Sequence, residues 1–398
     1  MHPKKNEPLR SALAGQTESW EYLPTTNQPL EDVRAAASAA LRDPEDFPSI
    51  ELAIVAGDTV TIALDPNVPQ PAAVLQGVLD ALPLAQIGAL AILVGEEATE
   101  ATLAALQAVA PEGTEVVVHD PDNRDGLGYL AANEGADPIY LNRHLTDADL
   151  VLPVTIGRLS GALDPSHESG GVFPMLADTA SQQRFRAARL SGEVAPAEAL
   201  QAAWLLGFPM LVVVSPTADG DVGRIVAGTV SGIDRVLAAD AQAMWQRGEA
   251  YPADLVIACL DGDAQQQTWE NLGRALFVAK QMVSPAGTVV IVSTIERRPG
   301  PVIRRLRQMQ EGDEEAVRRK LLKEKHRDVT TATVLLDATR DGRVVLFSQL
   351  PEEEVEQLGI GAMRDPAALQ RLIAAHDSCG ILHGAQFCVP APAATMPE

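Results

Sequence analysis

The chain is poor in cysteine, aromatics and positive charge, and each shortage narrows what it can be. Only Cys259, Cys379 and Cys388 occur in 398 residues. Their spacing excludes a CxxC zinc or redox site, and a chain this long needs no disulfide framework. No apolar run reaches the roughly 18 residues of a spanning helix. The opening residues 1–8, MHPKKNEP, lead into no apolar block and are read as no secretory signal. Cytoplasmic residence is the expectation. Lys and Arg total 31 against 54 Asp and Glu, a formal charge of −23. That balance argues against a nucleic-acid partner, since phosphate contacts need cations, and against an anionic membrane surface.

What is present is apolar residue in quantity, 46% against 21% charged, enough to fill real cores. At about 150 residues per domain, the length predicts two or three domains. Residues 60–64 and 89–94 carry strand signals, each followed by a helical pattern, and 114–118 and 150–154 read as further strands. Helices are expected over 29–41, 197–206 and 233–245, with a strand at 211–214. A second alternating unit starts near Tyr251. Its strand covers 254–260, and the helix after it carries Leu272, Leu276 and Val283. Residues 288–292 read as a strand, and a charged helix is expected over 314–327. Strands follow at 333–336 and 343–347, then a helix over 366–375 and a short strand near Ile381. Strand–helix repetition of this kind predicts an α/β class with mostly parallel sheets. The division is placed at 1–248 and 249–389, with a Pro/Ala-rich tail at 390–398.

In parallel sheets, ligands bind beyond the carboxyl ends of strands. The loop from Asp65 to Pro71 occupies such a place; Asp65 suits a ribose hydroxyl or a base, and equally the cap of a proline-rich turn. In Gly95-Glu96-Glu97-Ala98, Glu97 is a candidate general base if burial raises its pKa, although a Glu there also favours a helix start. His119 opens an Asp-rich turn without the spacing of a calcium loop. Arg143 suits bidentate carboxylate binding or a salt bridge to the acids after it. In the loop 160–171, Gly170-Gly171 permits close backbone approach, and Ser166, His167 and Ser169 add donors. Neither GxGxxG nor GxxxxGK[ST] is present. Asn271 and Arg274, three apart on a helix, face the same way and could close over a ligand.

With these residues in view, the chain resembles the nickel-dependent lactate racemase family of 2-hydroxyacid racemases and epimerases. The clearest stretch is VVVHDPDNRDGLGYLAANEGADPIYLNRHLTDADLVLPVTIG, residues 116–157, supported by YPADLVIACLDG at 251–262 and PAGTVVIV at 285–292. The resemblance implies two α/β domains with an interdomain cleft, the first on the side of a nucleotide cofactor and the second closing over it. It implies a nickel-pincer nucleotide tethered to a lysine, hydride and proton transfer at the substrate's 2-carbon, and a small anionic substrate. Carried onto this sequence, it places Asp65, Gly170, Gly171 and Phe173 toward the cofactor. It places His167, His119 and Glu97 toward proton transfer, and Arg143, Asn271 and Arg274 toward the substrate.

The chain is similar as a divergent member that lacks several signature residues. Asn67 and Val68 stand for the Thr and Arg of D-x-T-R-P. Glu97 and Ala98 stand for the His and Arg of G-x-H-R, and Phe173 stands where G-x-x-G-G-x-K has its tethering lysine. Leu163 falls at another expected histidine, and Arg274 at a lysine. The expected function is therefore a lactate racemase-like protein acting on 2-hydroxyacids. The alternative is a non-racemising homologue that binds a small anion or nucleotide as a sensor or auxiliary protein.

Overall fold

The computed structural model describes residues 18–22, 28–157, 163, 170–191, 197–217, 219–245 and 252–389. Its strands are β1 (Glu18–Tyr22), β2 (Thr59–Leu64), β3 (Ala89–Val94), β4 (Glu115–Val118), β5 (Leu127–Ala132), β6 (Pro138–Asn142) and β7 (Leu150–Ile156). They continue with β8 (Leu211–Pro216), β9 (Val222–Gly228), β10 (Ala253–Cys259), β11 (Val283–Val292), β12 (Arg343–Phe347), β13 (Gly361–Met363) and β14 (Ser378–Leu382). The helices of eight residues or more are α1 (Val33–Arg42), α2 (Pro71–Ala81), α3 (Glu100–Val109), α4 (Thr179–Leu190) and α5 (Ala197–Leu206). After them come α6 (Val230–Trp245), α7 (Trp269–Met282), α8 (Glu314–Leu321), α9 (Val329–Asp341) and α10 (Pro366–Ala374).

Two six-stranded sheets result, ordered β4-β3-β2-β7-β8-β9 and β1-β14-β10-β11-β12-β13. All neighbours are parallel except β8 and β9, which run antiparallel from Leu211↔Gly228. Parallel pairing fixes which ends share an edge. Val60 faces Leu150 and Leu64 faces Val94, so the loops after β2, β3 and β7 emerge together. In the other sheet Ile257 faces both Val290 and Ile381. Every residue of β7 is buried, as expected of a central strand covered on both faces. The small antiparallel pair β5–β6 stands apart from both sheets.

Side-chain caps set several helix starts. Thr99 Oγ1 accepts the Thr102 amide before α3, and Asp178 accepts the amides of Ala180 and Ser181 before α4. Pro71 opens α2 at a position where its missing N–H costs nothing.

Three expected elements differ. Residues 333–336 lie inside α9, not in a strand. Thr331, Ala332, Thr333, Val334, Leu335 and Leu336 are all buried, so no polar stripe reveals the helical period. The charged helix ends at Leu321, short of Arg327. Val283 belongs to β11 and not to the helix before it. The strand β1 and its pairing beside β14 had no expectation at all. Among the described residues no helix is long and apolar enough to cross a membrane.

Candidate functional site

The loops after β2 and β3 meet the start of α7 and the start of α9 around a cavity of about 160 Å³. Its apolar wall is Leu163, Phe173, Pro174, Met175 and Phe185. Phe173 is buried and meets the Phe185 ring edge-on at 5.9 Å between centroids. The segment carrying Phe173 starts at Gly171, whose φ of +71° suits glycine; a Cβ there would lie 2.6 Å from Thr155 Oγ1.

The polar wall is a network of carboxylates and arginines. Asp65 Oδ1 accepts both the backbone and the side-chain amide of Asn67, at 2.8 and 3.0 Å. Asn67 Nδ2 also reaches Glu97 Oε2 at 3.4 Å. Arg327, entering from just before α9, lies 3.2 Å from Glu270, 3.8 Å from Glu97 and 3.9 Å from Glu96. Burial works against the Arg327 charge, and Glu97, Glu270, Glu96 and Asp328 outweigh it. For Glu97 the balance runs the other way. Burial, then repulsion from Glu270, raises its carboxyl above the ordinary range despite Arg327 and Arg274.

Two further arginines come from α4. Arg189 donates to the Leu163 carbonyl. Arg186 donates to Gln182 Oε1 at 3.2 Å and to the Lys325 carbonyl, yet its Nε is buried with no partner. Burial lowers the Arg186 pKa to about 10, with Arg327 adding to the fall and Glu96 and Asp328 opposing it. A buried guanidinium donor left unmet is costly, and an anion supplies the acceptor it lacks.

Of the residues expected from sequence, Asp65, Glu97, Gly171, Phe173 and Arg274 line this cavity. Asn271 is buried beside it and positions Arg274, whose Nη1 donates to Asn271 Oδ1 at 2.6 Å. Gly170 packs against Phe208 and Pro153, outside the lining. Arg143 is exposed and pairs with Asp147 at 3.6 Å, the salt-bridge alternative. His119 is 1% exposed and outside the cavity lining. Its Nδ1 accepts from Asn142 Nδ2 at 3.2 Å, which leaves Nε2 to donate to the Ala177 carbonyl at 2.9 Å. Burial lowers its pKa, so it is a neutral histidine satisfied within the packing. His167 lies outside the described residues, as do Ser166 and Ser169.

Sequence reasoning missed Arg186, Arg189, Glu270 and Arg327. Only tertiary packing carries α4 and the segment before α9 to the β2 and β3 loops. An arginine spaced along an otherwise acidic chain was the one available signal.

The nickel-pincer nucleotide implied by the resemblance does not fit these residues. Among the described lining residues there is no lysine to tether it and no histidine. Phe173, which the resemblance puts at the tether position, lines the apolar wall, and an aromatic carbon cannot form such a bond. The described residues hold no group of three or more His, Cys, Asp or Glu placed for a metal ion.

No protein-family model matches the chain, and no curated protein sequence matches it. Its fold is shared with solved structures. The lactate racemase apoprotein from Thermoanaerobacterium thermosaccharolyticum superposes with a TM-score of 0.75 at 14% identity, over 95% of each chain. A protein from Thermotoga maritima superposes with a TM-score of 0.65, also at 14% identity, over 92% of this chain and 99% of the other. At that identity the likeness is one of fold.

Proposed function

We propose that this protein binds a small carboxylate-sized anion on a lactate racemase-type fold and does not racemise it. In this reading the chain divides into units 1–248 and 249–389, with β1 completing the second sheet, and the cavity is the cleft between them. The observation that carries the reading is Arg186, a half-buried arginine at the cavity whose buried Nε donor is unmet. Arg274, held by Asn271, provides a second cation in the lining. At about 160 Å³ the inner space is small, which suits a short carboxylic acid.

The reading separates holding from turnover. Fold likeness supports descent of the frame, whereas chemistry depends on residues in the site. Glu97 stands where the resembled family has a histidine. A carboxyl that keeps its proton longer than usual can donate a hydrogen bond to a bound carboxylate. Phe173 closes the wall with an apolar ring where the family has an amine.

The test pairs binding with racemisation. Lactate and related short 2-hydroxyacids should raise the melting temperature saturably, since a ligand at a hundredfold over Kd adds about 2.7 kcal/mol to the folded state. Arg186→Gln should weaken that response at least about tenfold, the loss expected for a charge-assisted hydrogen bond. Chiral chromatography of L-lactate incubated with the protein should show no D-lactate, a readout that does not depend on solvent exchange at the 2-carbon. Racemisation catalysed by the wild type would overturn the non-racemising half, and a flat thermal response would overturn the binding half.

A further inference from the structure

A second, larger cavity of about 690 Å³ opens beside the first and shares Glu96, Gln182 and Arg327 with it. Its rim brings Arg124 together with Lys325 and His326, from segments far apart in sequence, and Asp122, Asp178 and Thr179 complete it. In a chain of charge −23, the pairing of these groups decides what the cavity can take.

The acids are already engaged. Asp122 Oδ1 accepts the Thr179 hydroxyl at 2.7 Å. Asp178 accepts two amides at the start of α4, both at 3.3 Å. Glu96 lies 3.9 Å from Arg327. Two of the cations are not. The Arg124 guanidinium lies over the Tyr140 ring, 5.3 Å from its centroid, and makes no ion pair among the described residues. Lys325 is exposed and likewise has no ion-pair partner among them, although its backbone carbonyl is held by Arg186. That bond fixes the Lys325 backbone to the arginine that faces the inner cavity. The remaining donors are therefore cationic, one of them a planar fork and the other a flexible point charge, the combination that holds a phosphate oxyanion.

We propose that the outer cavity takes the phosphate group of a phosphorylated carboxylic acid whose carboxylate sits in the inner cavity beside Arg186. This rests on the reading of the inner cavity as a small-anion site, and it extends the ligand class from short hydroxyacids to their phosphate esters. Because the rim cations are exposed, the phosphate contribution weakens as ionic strength rises.

Calorimetric titration separates the two cavities. The probes are glycerate, 3-phosphoglycerate and inorganic phosphate, each against the wild type, Arg186→Gln and the double variant Arg124→Gln with Lys325→Ala. The wild type should bind 3-phosphoglycerate at least about tenfold more tightly than glycerate. The double variant should lose that preference and keep its glycerate affinity, because both altered residues are exposed and neither lines the inner cavity. Inorganic phosphate should bind the wild type and lose affinity in the double variant, whereas Arg186→Gln should lose glycerate. Equal affinity for the two acids, or a preference that survives the double variant, overturns the phosphate site while leaving the inner site standing. Phosphate binding without any glycerate binding overturns the inner reading instead, and with it the two-cavity ligand.

Discussion

Glu97 is a carboxyl of the site whose pKa the fold moves. Burial and then Glu270 raise its pKa in the folded state, against Arg327 and Arg274. A carboxyl raised in this way binds its proton more tightly folded than unfolded. The stability it contributes is complete below the unfolded pKa and is lost as pH rises through the folded one. Glu97→Gln removes that loss, so its stability relative to the wild type should improve between about pH 4 and about pH 8. Urea unfolding at both pH values reads the difference. A relative fall toward pH 8 would mean that the 3.8 Å approach to Arg327 governs the residue. Glu97 was legible as a loop candidate from its place after a strand. Its partners were not, because Asn67, Glu270 and Arg327 are separated from it by 30, 173 and 230 residues.

At the scale of elements, five of the six strands of the first sheet were readable because they are short apolar runs bounded by turn residues; the edge strand β9 had no expectation. Residues 60–64 and 89–94 became β2 and β3 almost unchanged. The reading failed where burial is not periodic. The helix α9 hides its period under all-round burial, and its Thr331 and Thr333 hydroxyls donate to the carbonyls of Trp269 and Val329. The strand β1 was missed for a different reason: five residues, ESWEY, gain meaning only from the strand they meet, more than 350 residues later. There Trp20 lies over Gly380, where a Cβ would approach Trp20 Cζ2 to 2.1 Å. The same junction is closed by His383 Nε2 and Glu21 Oε1 at 2.7 Å. Trp20→Ala should cost about 3–5 kcal/mol, the range for truncating a buried aromatic residue. Equilibrium denaturation measures it, and a loss below about 1 kcal/mol would mean that β1 is only loosely docked.

For the whole molecule, two long-range features act on the same frame. One is charge: at −23 the folded chain repels itself, and raising ionic strength from about 10 to about 150 mM shortens screening from about 30 to about 8 Å. The melting temperature should rise over that range, and a fall would give the surface ion pairs the larger share. The other feature is a run of three buried glutamines after β10. Gln265 Oε1 accepts the Thr99 amide and the Thr102 hydroxyl, both at 3.2 Å, and its Nε2 donates to the Glu97 carbonyl at 3.2 Å. Gln266 reaches the Asn67 carbonyl, so the chain after β10 holds the loops after β2 and β3. Gln267 turns back to its own sheet, accepting the Ser293 hydroxyl at 2.8 Å and the Thr294 amide at 3.0 Å. Neighbours in sequence thus do different work, and substitution separates them. Gln265→Ala removes three bonds of about 0.5–1.5 kcal/mol each, so amide exchange across residues 95–102 should speed up and bound anion should leave faster. Gln267→Ala should speed exchange at 293–294 and leave 95–102 protected. If the two variants gave the same exchange pattern, the glutamine run would be general packing, and the cavity would owe its closure to Arg327 and its three carboxylates alone.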